Sequence, residues 1–308
     1  MVAIASLLTQ SALNDMCRKY ADPVGESEEV RCERAERMIR DAIKSSNVFD
    51  EQKLSEISIF SQGSYRNGTN IPQESDVDIA ICYRGTYFYD TSELSPLATY
   101  GLGLTPAFYT YDRFKTDVAK ALRASFGQEM QVGNKSLKIR PNSGRVSADA
   151  VPSFEFRQFR TYADPMIGAR FITNDGKIIT NWPDHHHYFG VEKNKATSFR
   201  YKKVVRVLKS LRDDIRNSGS PAVADTPSFF IECLVFNAPN QCFGHETLYE
   251  DCYSVIQTLF AMLQNLDNIR GMVEANRIKM LFSGDQPWTH QTAEFFLFCA
   301  GKELKIWP

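Results

Sequence analysis

Residues 61–82 read SQGSYRNGTNIPQESDVDIAIC, and they decide how the rest of the chain is read. Asp76 and Asp78 lie two apart among the apolar residues Val77, Ile79 and Ile81. On an extended strand alternate side chains share a face, so both carboxylates point one way and the apolar residues the other. Upstream, the apolar run Ile57, Ile59 and Phe60 gives way to Gly63-Ser64, and Asn67-Gly68 and Pro72 mark a loop before the aspartates. The pattern predicts a strand, a Gly-Ser turn and a second strand carrying paired carboxylates.

Two like charges on one strand face repel, and a cation between them relieves the repulsion. Magnesium is a hard ion that takes oxygen ligands, usually carboxylates and substrate phosphates. Two such ions about 3.5–4 Å apart can clamp the attacking and leaving oxygens of an in-line displacement. Glycine lets backbone approach a triphosphate closely, and Ser64 adds a hydroxyl and an N–H. Two aspartates alone would describe an ordinary half-exposed strand. With Gly63 and Ser64 at this spacing they describe the working end of a nucleotidyltransferase.

The 308 residues suffice for one or two domains with a full core. Net charge is −1, from 36 basic and 37 acidic residues. A protein that grips long nucleic acid through many phosphates is usually more basic, so small nucleotides are the expected partners and no stable long nucleic acid is. No apolar run approaches the roughly 18 residues of a membrane span. The N-terminal stretch MVAIASLLTQSALNDMCRKY reads as an amphipathic helix rather than a leader. No membrane partner and a cytoplasmic location are therefore expected. Seven cysteines without a CxxC pair are expected to be free thiols.

Residues 27–45 read as a long helix with Ser27 as cap and Ala35, Met38, Ile39, Ala42 and Ile43 on one face. Strands are expected at 56–60 and 76–83, a long loop over 85–110, and a helix over 111–126. Residues 135–140 and 145–151 read as a hairpin about Pro141-Asn142-Ser143-Gly144. Helices are then expected at 197–217, 226–237, 246–265, 268–281 and 290–300. A two-metal site needs a third carboxylate from a neighbouring strand. Asp90, Asp112 and Asp117 fall in the loop and the helix, whereas Asp149 falls on the second hairpin strand and is favoured.

Several features invite a sharper reading than they support. His185-His186-His187 splay apart and lack a completed zinc set, so a polar loop is expected. Lys202, Arg206 and Lys209 share one helical face, and a solvated face is expected for Arg206 and Lys209. The aromatic residues of 83–110 are read as loop anchors rather than a base-stacking platform.

The segment GSYRNGTNIPQESDVDIAI resembles the active-site segment of the bacterial cGAS/DncV-like nucleotidyltransferases. The resemblance continues through Asn181-Trp182-Pro183, His186, Gly190-Val191 and Lys193-Asn194, then Thr197 and Arg200-Tyr201-Lys202 to Leu211. It extends to Pro227-Ser228 and Ile231 to Asn237, so it spans roughly 25–240. It is most like clade E, the CdnE or cyclic UMP-AMP synthase type. The residues His187-Tyr188-Phe189 depart from the family pattern after its histidine.

The resemblance implies an α+β fold. A polymerase-β-like nucleotidyltransferase core would hold a mixed sheet, flanking helices and a long N-terminal spine helix, with a C-terminal helical domain beyond it. The expected division is 1–180 for the catalytic core and 181–308 for the helical domain closing the nucleotide cleft. It implies that Asp76, Asp78 and Asp149 bind two Mg²⁺ ions, for which Mn²⁺ can substitute. Gly63 and Ser64 would hold the donor triphosphate, Lys202 would approach it, and Asn181 would read a pyrimidine edge. The implied substrates are UTP and ATP, joined into a cyclic dinucleotide that activates an effector protein encoded nearby in antiphage defence. Two other classes fit the core motif: an RNA-tailing or protein-adenylylating transferase, and a catalytically inactive nucleotide sensor. The presence of all three carboxylates speaks against the sensor.

Overall fold

The structure is a computed structural model that describes residues 2–72, 76–219, 223, 226–284 and 286–307. Gln73, Glu74 and Ser75 of the opening segment lie outside the described residues. In chain order the first half runs α1 (Val2–Ala21), α2 (Glu26–Lys44), α3 (Glu51–Ser55), β1 (Ile57–Gln62), α4 (Gly63–Asn67), β2 (Val77–Asp90), α5 (Pro96–Gly101) and α6 (Tyr111–Phe126). It continues with β3 (Met130–Val132), β4 (Leu137–Ile139), β5 (Ala148–Phe159), β6 (Pro165–Ile172) and β7 (Ile178–Asn181). The rest is helical: α7 (Pro183–Ala196), α8 (Tyr201–Asn217), α9 (Ser228–Phe236), α10 (Leu248–Met262), α11 (Leu266–Gly271) and α12 (His290–Glu303).

The chain divides into two compact units, one of residues 25–65 and 75–183, the other of 1–24, 66–74 and 184–308. The first is a mixed sheet with helices on one face. Its strands run β1-β2-β5-β4-β3, and β6 pairs with the far half of β5 and with β7. β2 and β5 are parallel, and the other pairings are antiparallel. Alternation decides which face is which. Val77, Ile79 and Ile81 of β2 and Ala148, Ala150 and Phe154 of β5 join Ile39 and Ile43 of α2 and Phe114, Val118 and Leu122 of α6 in one core. Burying each large side chain contributes about 1.5–3 kcal/mol. The opposite face of β2 and β5 is thereby left for the residues between them.

In the second unit, α8 lies at the centre of a core that also takes Cys17 from α1, Phe230 and Leu234 from α9, Val255 from α10 and Phe296 from α12. The basic residues of α8 depart from expectation. Arg206 is 7% and Lys209 0% exposed, so neither lies on a solvated face. A buried charge must be partnered. Arg206 donates to the carbonyls of Ala21 and Gly68, each at 2.6 Å.

Other local expectations change as well. The cap of α2 is Gly25, not Ser27. The stretch 85–110 is not a single loop, since β2 runs on to Asp90 through a bulge between Tyr83 and Tyr87, and α5 follows. The three histidines lie on α7 rather than in a loop, with His186 buried. The segment 268–281 is only the short helix α11 and the irregular chain after it.

Candidate active site

β2 begins at Val77, next to the exposed Asp76, and Val77 donates its amide to the Ser147 carbonyl at 3.0 Å. That bond extends the parallel ladder to the very start of the strand. One residue on, Asp78 pairs in register with Gln62 of β1 on one side and Asp149 of β5 on the other. Adjacent strands lie about 4.7–4.9 Å apart, so the two carboxylates are direct neighbours on the face away from the helices. Both are half-buried. The competing acids lie elsewhere: Asp90, at the far end of β2, accepts the Ser92 amide at 2.9 Å, and Asp117 on α6 accepts the Tyr109 hydroxyl at 2.9 Å.

Gly63 closes this corner. Its φ of +67° is left-handed, and a Cβ there would lie 2.5 Å from Oδ2 of Asp78. Two independent constraints thus demand glycine: backbone conformation and the approach of the carboxylate. Ser64 follows in α4. Replacing Gly63 with alanine should therefore push the Asp78 carboxylate aside and cost about 1–2 kcal/mol of backbone strain besides. We expect initial rates with labelled nucleoside triphosphates to fall at least about a hundredfold while circular dichroism stays native, since a misplacement of about 1 Å costs about that much where a side chain serves the reaction. Rates within threefold of the parent would show that the glycine does not set the Asp78 position.

The donors fit a hard divalent cation by chemistry, being carboxylate oxygens on neighbouring strands. Among the described residues no group of three or more His, Cys, Asp or Glu side chains is already arranged to hold a metal ion. Asp78 and Asp149 form the adjacent pair, and Asp76, two residues before Asp78, is exposed.

In the helical unit, Lys202 lies half-buried on α8, and a Cβ on Gly68 would be 3.7 Å from its Nζ. Burial lowers its pKa and Arg206 adds to the fall, while Glu232 opposes it. A desolvated ammonium is stabilised by any anion that reaches it. His187 is lowered too, first by burial and then by Arg66 and Lys202. Arg66 pairs with Asp184 at 2.6 Å. Sequence reasoning gave Arg66 no role, although it sits two residues after Ser64. Asn181 ends β7, exposed and opposite Ala169 of β6.

Two family descriptions match: the nucleotidyltransferase domain over residues 43–126, and the cGAS/DncV-like nucleotidyltransferase C-terminal helical domain over 189–304. A cyclic dipyrimidine nucleotide synthase CdnE of Legionella pneumophila is 35% identical, covering 92% of this chain and 95% of its own. The chain belongs to the cGAS/DncV-like nucleotidyltransferases. A second member, the cyclic dipurine nucleotide synthase of Elizabethkingia meningoseptica, is 34% identical over 90% of this chain and 93% of its own. The solved c-UMP-AMP synthase CdnE of Rhodothermus marinus, with Apcpp and Upnpp, superposes with a TM-score of 0.82 at 25% identity, covering 96% of this chain and 97% of that one.

The cGAS/DncV-like chain is accordingly a nucleotidyltransferase enzyme, with a nucleotidyltransferase domain joined to a helical domain of the family type. Nucleotidyltransferases generally use divalent metal ions. Among the described residues no helix is long and apolar enough to cross a membrane.

Proposed function

We propose that this nucleotidyltransferase is a cyclic dinucleotide synthase. The observation that carries the reading is the in-register pair Asp78 and Asp149, closed by Gly63, in a chain that aligns along nearly all of its length with CdnE synthases. Asp76, Asp78 and Asp149 would hold two Mg²⁺ ions, or Mn²⁺ in their place. When bound, such ions polarise the α-phosphate and favour the alkoxide of the attacking hydroxyl. The Gly63 backbone and the Ser64 amide and hydroxyl hold the donor triphosphate, with Lys202 supplying positive charge. The 3′-oxygen of one nucleotide forms a bond to the α-phosphorus of the other, and the bond to pyrophosphate breaks. A second attack by the remaining 3′-hydroxyl closes the ring, so two triphosphates yield one cyclic dinucleotide and two pyrophosphates. The family supports a second-messenger role in antiphage defence, with the product activating a separate effector protein encoded nearby.

The substrates are proposed to be UTP and ATP, giving cyclic UMP-AMP. The relatives at similar identity make dipyrimidine and dipurine products, so overall likeness does not choose the base. Asn181 is the residue on which the choice of uridine rests. Its amide offers a donor and an acceptor to the O4 and N3–H edge of uracil, and its exposure leaves that amide accessible. Mass analysis of products from the four labelled triphosphates tests this. The wild type should incorporate UTP, and Asn181→Ser should shift incorporation toward purines without destroying synthesis. If the wild type ignores UTP, the role of Asn181 fails while the metal site stands. A need for an added RNA or protein acceptor would instead favour a tailing or adenylylating transferase.

A further inference from the structure

Glu232 interrupts an apolar run, Phe229-Phe230-Ile231-Glu232-Cys233-Leu234-Val235, and lies on α9 with 2% of its surface exposed. A carboxylate taken out of water needs its oxygens bonded or its charge neutralised. Here one oxygen accepts from the Thr69 hydroxyl at 2.7 Å and the other lies 2.7 Å from Nε2 of His186. Burial alone would raise this carboxyl; His186, the nearby Lys209 and Thr69 outweigh it and hold it down to about 2. Thr69 itself is fully buried.

Thr69 belongs to the short chain between Gly63-Ser64 and Asp76. Its neighbours are held as well: the Gly68 carbonyl by Arg206 at 2.6 Å, and Arg66 by Asp184 at 2.6 Å. The network sits in the helical unit, yet α4 (Gly63–Asn67) connects it covalently to the phosphate turn. We propose that Glu232 is a positioning residue for the phosphate turn, acting through the Thr69 hydroxyl. This inference rests on the donor-triphosphate role given to Gly63 and Ser64. An apolar pair would fill the same space without a buried charge. The carboxylate adds direction, since it fixes where Thr69, and hence the chain leaving Ser64, can lie.

The test compares Thr69→Val, which keeps the shape and removes the hydroxyl, with Thr69→Ser, which keeps the hydroxyl, and with Glu232→Gln. Initial rates give KM and kcat for each triphosphate, and Kd is read with a nonhydrolysable ATP analogue and a UTP analogue. Thr69→Val should weaken donor binding about tenfold or more, with the loss mainly in KM, and Thr69→Ser should restore most of it. Glu232→Gln keeps an acceptor oxygen for the Thr69 hydroxyl, so it should cost less than Thr69→Val, and the double variant Thr69→Val/Glu232→Gln should bind the donor about as weakly as Thr69→Val alone. Should Glu232→Gln fail to fold, the Thr69 pair alone decides. If Thr69→Val lowers the melting temperature but leaves KM and Kd within twofold, the network is structural and the proposal is overturned. Ser64→Ala separates the two claims: no effect on donor binding there would sink the phosphate-turn reading itself, whereas a loss there with a neutral Thr69→Val sinks only the clamp.

Discussion

The double substitution Asp76→Asn/Asp78→Asn should abolish nucleotide joining, with labelled triphosphates in Mg²⁺ or Mn²⁺ giving at least about a thousandfold less product. The amides keep the shape of the carboxylates and remove two negative charges from the cradle. A thousandfold is about 4 kcal/mol of transition-state stabilisation, within what a metal clamp supplies. Folding should survive. Asp78 stands directly opposite Asp149 in the parallel register, and like charges so placed are destabilising. Thermal melting of the metal-free double variant should therefore match or exceed the parent. A variant that retains activity within about tenfold would place the chemistry elsewhere on the chain.

The positions of these carboxylates were legible because they rest on local signals. Asp76 and Asp78 alternate with valine and isoleucine, and Asp149 follows a Pro-Asn-Ser-Gly turn that predicts the hairpin formed by β4 and β5. The helices α2 and α6 declared themselves by the spacing of Ala35, Ile39, Ala42 and Phe114, Val118, Leu122. What stayed illegible depends on distant partners. Arg206 looks like part of a solvated stripe until α1 and the Gly68 loop are brought against α8. The continuation of β2 was hidden by Gly85 and the bulge before Tyr87, which together read as a loop. β6 was obscured by Gly168, a poor strand former taken in isolation. Its reason is tertiary, since a Cβ there would come within 2.7 Å of the Asn181 carbonyl. Glu232 left a trace that local reasoning undervalued: a lone carboxylate inside an apolar helix implies paid-for burial and hence a partner.

Asp149→Ala should separate chemistry from binding more cleanly than the paired aspartates can. Asp149 lies half-buried between Asp78 on β2 and Lys138 on β4. Gly63, Ser64, Asp76 and Asp78 all remain in the variant, so most of the groups proposed to hold the donor triphosphate are untouched. Product formation should fall about a thousandfold or more, while the Kd of a nonhydrolysable ATP analogue rises less than about tenfold. An interaction made chiefly in the transition state behaves in this way, lowering kcat with little change in ground-state binding. Asp149→Asn, which keeps the volume and loses the charge, should behave alike and excludes a packing explanation. If analogue binding collapses in step with synthesis, Asp149 serves the bound substrate rather than the reaction. If synthesis persists within tenfold, the third carboxylate is not Asp149, despite its register with Asp78.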